Sequence, residues 1–86
     1  MVKKIEPTQR MSSNDAAVMY PDNYIIMRID SIKMTPGKKG DILFISDAED
    51  ELYPVMRELD KNALYLVTEG MNHRRSLGGV VVGEYN

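Results

Sequence analysis

The sequence predicts a small α+β domain of β-β-α-β-β order, with a mixed four-stranded sheet and one helix packed on one face. Three observations carry this reading. Residues 46–62, with the following Ala63, hold the only sustained helical periodicity: Ala48, Leu52, Val55, Met56, Leu59 and Ala63 form one apolar stripe. Residues 24–33 alternate with the period of two expected of a strand. The apolar runs 42–45, 64–67 and 80–82 have the length and composition of further strands.

Taken in order, residues 1–14 are polar and aperiodic, with Pro7 and a Ser12-Ser13-Asn14 cluster, and are expected to form a flexible tail. Residues 15–86 are then a single α+β domain. Ser13 or Asn14 can cap a short turn over residues 15–19 that Pro21 ends, but a turn so short needs something to dock on. Pro21-Asp22-Asn23 is a turn signal launching the first strand. Along that strand Ile25, Met27 and Ile29 make a uniformly apolar face that should meet the core. Tyr24, Ile26, Arg28, Asp30 and Ile32 make the other face.

Thr35-Pro36-Gly37-Lys38 suits a type II turn, because proline presets φ and glycine accepts positive φ. The unbroken run Ile42-Leu43-Phe44-Ile45 suggests a central strand covered on both faces. The helix follows, opened by Ser46 and Glu49 in capping-box spacing. Pro54 falls well inside it, where it would cost ~3 kcal/mol. Either a kinked helix results, or a loose acidic first turn leads into a firmer segment from about Glu51. Asn62 is a candidate left-handed cap before the strand of residues 64–68. Strand, helix and strand in succession imply a right-handed crossover and parallel pairing. After a glycine-rich loop, residues 80–85 form the last strand, with Gly83 permitting a bulge.

The Tyr20-Pro21-Asp22-Asn23-Tyr24-Ile25-Ile26 segment resembles the opening Tyr-Pro and strand of a family of very short bacterial and archaeal β-β-α-β domains of unknown function. The similarity continues through residues 42–59 and 64–67. The longer 34–40 connection and the 70–85 extension depart from it. The resemblance implies the β-β-α-β core and carries no activity with it.

Composition excludes several classes. A chain of 86 residues makes one domain, and the lack of cysteine removes disulfides and thiolate metal sites. A single histidine argues against a His/Cys metal centre, so no metal and no cofactor are expected. A net charge of −2 with interspersed signs gives no reason to expect nucleic acid or an acidic membrane surface. Lys3-Lys4 does not open a signal peptide, because Glu6, Pro7, Gln9 and Arg10 follow it. No run approaches the ~20 apolar residues of a membrane span, so a soluble cytoplasmic protein is expected.

Two features bear on function. Three strands are apolar in both registers, and one helix covers only one face of a sheet. The second face therefore requires a cover. The reading adopted is a homo-oligomer, most simply a dimer, or a protein partner, with Tyr24, Ile26 and Ile32 as contacts. The alternative is that Ala16, Ala17, Val18, Met19 and Tyr20 fold back over the sheet. The other feature is the loop 69–79, which gathers His73, Arg74, Arg75 and Ser76 among glycines. Arginine forks and close backbone N–H groups suit an anion or nucleotide, although the glycines fit neither phosphate-loop pattern. Turn geometry alone also explains them.

No catalytic residue is assigned: Ser76 lies only three residues after His73, with no orienting acid implied. Asp47, Glu49, Asp50 and Glu51 match no calcium loop and are better explained by the helix's positive end. Lys38-Lys39 and Arg74-Arg75 are small clusters on separate loops, which keeps nucleic-acid binding the weakest alternative. The leading function is a non-enzymatic interaction module.

Overall fold

Strand β2 (Tyr24–Ile29) lies at the centre of the sheet, and its alternation explains the layers on either side. Side chains two apart on a strand share a face. Ile25, Met27 and Ile29 accordingly join one buried cluster with Ile5, Ala16, Ile42, Ile45 and Leu66. Ile26 joins a second with Leu52, Tyr65 and Val67. The computed structural model of the chain describes residues 1–31 and 38–73, and residues 79–82 by backbone alone. The expected turn at Thr35-Pro36-Gly37 and the bulge at Gly83 lie outside the described residues.

Around β2 stand β1 (Lys3–Ser12), β3 (Lys39–Ser46), β4 (Leu64–Glu69) and β5 (Gly79–Val82), in the spatial order β1-β3-β2-β4-β5. Each pairing is antiparallel. The α+β class is as expected, and the chain from β2 onward keeps the β-β-α-β-β order. β3 and β4 run in the same direction, but β2 lies between them, so they are not paired as parallel neighbours. The sheet has five strands because the segment expected as a tail contributes β1.

A bulge in β3 resolves its unbroken apolar run. Strict alternation would set Ile42 and Ile45 on opposite faces. Instead the register with β2 steps from Ile26↔Phe44 to Met27↔Ile42, which inserts one extra residue into β3. Ile42 and Ile45 therefore both enter the first cluster, while Leu43 and Phe44 both pack against the second.

Helix α1 (Ser13–Met19) starts where the Ser12 hydroxyl accepts the Asp15 N–H at 3.1 Å, one residue earlier than expected. Its side chains at positions 16 and 17 are alanines, small enough for the helix to lie close on the sheet, and both are fully buried. Ala16 packs into the cluster of Ile25, Met27 and Ile29. A seven-residue helix gains its stability from this docking rather than from its own hydrogen bonds.

The acidic stretch after β3 splits in two, as Pro54 suggested. Glu49–Glu51 form a 3₁₀ turn, and α2 (Leu52–Glu58) follows. Pro54 is thus the third residue of α2, where a helix has unsatisfied N–H groups anyway and a missing one costs little. The extra turn shifts the cap. In place of the capping box with Glu49, the Ser46 hydroxyl accepts the Ala48 N–H at 3.1 Å and donates to Glu51 Oε1 at 2.7 Å. The helix ends at Leu59, whose N–H donates to the Met56 carbonyl. No described non-glycine residue, Asn62 included, has positive φ.

Leu52 is fully buried beneath α2, and Val55, Met56 and Leu59 pack around it over Ile26, Tyr65 and Val67. Helix α2 therefore covers the face of Tyr24 and Ile26, which was expected to be open. The N-terminal segment folds back over the other face. No helix among the described residues is long and apolar enough to cross a membrane.

Candidate functional site

The expected anion loop begins as a structural turn. Gly70 ends β4, and its N–H donates to the Asn23 carbonyl at 2.7 Å. Met71 and Asn72 donate their N–H groups to the carbonyls of Ala17 and Pro21, at 3.1 and 2.9 Å. The Asn72 amide donates to Asp22 Oδ1 at 2.6 Å. A Cβ at position 70 would lie 2.2 Å from the Tyr20 carbonyl oxygen and 2.4 Å from that of Pro21, so only glycine lets the two turns touch.

His73 closes the same joint. Its ring stacks on Tyr24 with centroids 4.6 Å apart and planes inclined by 22°. Its Nε2 lies 2.8 Å from the Asp22 carbonyl oxygen. A carbonyl only accepts, so Nε2 carries the proton and donates. That N–H is spent within the fold, which leaves an anion reading to Arg74, Arg75 and Ser76. Those three lie outside the described residues.

A second polar arrangement crosses the first three strands of the sheet. Arg10 on β1, Asp41 on β3 and Arg28 on β2 stand side by side by register. Arg10 contacts Asp41 at 3.3 Å and Asp30 at 3.0 Å, and Arg28 contacts Asp41 at 3.1 Å. Burial pushes the Asp41 carboxyl up, but hydrogen bonds from Arg28 and Arg10 outweigh it and hold the group below its ordinary value. Two arginines and two aspartates balance in charge, so the row joins strands through ion pairs and carries no net charge of its own. Sequence reasoning missed it because Arg10 was placed in a tail. Ile5 and Met11 lie on either side of the register shift between Lys4 and Gln9, so no regular alternation marked a strand there.

The two sheet edges differ. The β1 edge carries Lys3, Lys4, Glu6, Pro7 and Arg10, and its register shifts between Lys4 and Gln9. Charges, proline and irregular register are the usual protections of an outer strand. β5 is Gly79-Val80-Val81-Val82, paired to β4 in unbroken register from Thr68↔Gly79 to Tyr65↔Val82. It has no charge and no proline, and no strand among the described residues pairs with its outer side.

The expected contacts are placed differently from one another. Tyr24 is half-buried against His73, and Ile26 is fully buried under α2, unavailable to a partner. Ile32 lies outside the described residues. No family model, curated protein or solved structure matches the chain.

Proposed function

We propose that the chain is a small non-enzymatic interaction module that acts through self-association or a protein partner, with the outer edge of β5 as its contact. The observation supporting this is the contrast between the two edges: β1 is protected, and β5 is an apolar strand with its outer side unpaired among the described residues. An edge of that kind accepts an added strand through backbone hydrogen bonds. Among the described residues α1 covers one buried cluster of the sheet and α2 the other, which favours the edge over a face as the contact.

Fluorescence anisotropy with extended peptides rich in β-branched residues, followed by amide hydrogen exchange, tests this reading. Saturable binding that protects the amides of residues 79–82 supports it. Failure of every peptide to bind, together with a monomer in sedimentation across the micromolar range, overturns it.

A further inference from the structure

Resting on that reading, we infer that the strand taken up at the β5 edge is β5 of a second copy, antiparallel and centred on Val81. Closure of the sheet is the first argument. A foreign strand would cover the edge of β5 and present a new edge of its own. A second copy instead ends the joined sheet on β1 at both sides, where Lys3, Lys4, Glu6, Pro7 and the shifted register already protect it. Such a twofold contact is self-limiting.

The sequence of the strand is the second argument. Val80-Val81-Val82 reads the same in both directions. Centred on Val81, an antiparallel pair sets Val81 opposite its own counterpart and Val80 opposite the other copy's Val82. Each of the three valines is then opposite a valine, a favourable β-branched cross-strand combination. Centring on Val80 would set Gly79 opposite Val81 on both sides of the axis and leave only one of the three valine pairs. A slip of one residue would join the α2 side of one copy to the α1 side of the other. The centred register keeps each helix layer on its own side of the seam.

The test uses the full chain with V81K and V81E, each checked for native secondary structure by circular dichroism. Sedimentation equilibrium should show a wild-type dimer in the micromolar range. Each variant alone sets like charges against each other at the twofold axis and should weaken dimerisation by about tenfold or more. An equimolar mixture of the two should recover it, since opposite charges then meet. A monomeric wild type overturns the second copy as occupant; if peptides still protect residues 79–82, the interaction reading stands without it. Variants that dimerise as the wild type does, or a mixture that shows no recovery, overturn the register. Should the variants unfold, hydrogen exchange of the wild type decides. Protection at residues 79–82 that rises with protein concentration supports the pairing, and protection independent of concentration overturns it.

Discussion

Gly70 shows how much a single backbone position can carry. The turn after β4 and the segment before β2 meet through three main-chain hydrogen bonds, with no space for a side chain between them. Gly70→Ala would force the Tyr20 and Pro21 carbonyls aside, at an expected cost of about 2–3 kcal/mol. Thermal denaturation should register a fall of roughly 10 °C or more. An unchanged midpoint would show that the two turns can separate freely. Asp41 gives a prediction of different form. Its folded-state carboxyl titrates below its unfolded value, so the folded state binds fewer protons. The stability this confers is present above about pH 4 and is lost as pH falls through the lowered folded value. Urea titrations through that range should show a steeper acid loss for the wild type than for Asp41→Asn, which has no carboxyl to protonate. Equal slopes would mean that Arg10 and Arg28 do not hold Asp41 ionised.

At the scale of elements, α2 turns on where Pro54 falls. Inside a long helix, replacing it would relieve ~3 kcal/mol. In the first turn of α2 it breaks no helical hydrogen bond and restricts the unfolded chain, so Pro54→Ala should cost about 0.4–1 kcal/mol. Urea denaturation separates these cases by sign. The division of this stretch was legible because proline's geometry is local. The strands β2 to β5 were legible for the same reason: alternation and short apolar runs depend on neighbours in sequence. β1 was not, since Ile5 and Met11 are separated by polar residues across an irregular register that only pairing with β3 reveals. Which helix covers which face was also hidden. Periodicity says that Ile25, Met27 and Ile29 share a side, but not whether α1 or α2 lies over it. The candidate site divides likewise. The apolar character of residues 80–82 is plain in the sequence, whereas their place at an edge follows from the strand order. The role of His73 depends on Asp22 and Tyr24, far away along the chain.

For the whole molecule, the N-terminal segment is both lid and shield. Ile5 and Met11 complete the first cluster, Ser12 caps α1, Arg10 ties Asp30 to Asp41, and β1 covers the outer edge of β3. A flexible tail could be removed without consequence. Removal of residues 1–12 should instead lower stability by at least the burial of two large side chains, on the order of 3 kcal/mol. It should also raise the binding of an apolar dye, because Ile42 and Ile45 lose their cover. The change in association is the sharper expectation. Among the described residues the intact chain leaves the β5 edge unprotected and, as proposed, would close there as a pair, whereas the truncated chain would have two such edges, at β3 and at β5. Two different open edges permit pairing that does not close, so the truncated chain should form a ladder of growing species in sedimentation where the intact chain forms one. Adding V81K to the truncated chain should shorten that ladder, since only the β3 edge would then remain. A truncated chain that keeps the wild-type denaturation midpoint and a single discrete species would show that β1 neither seals the core nor guards the sheet.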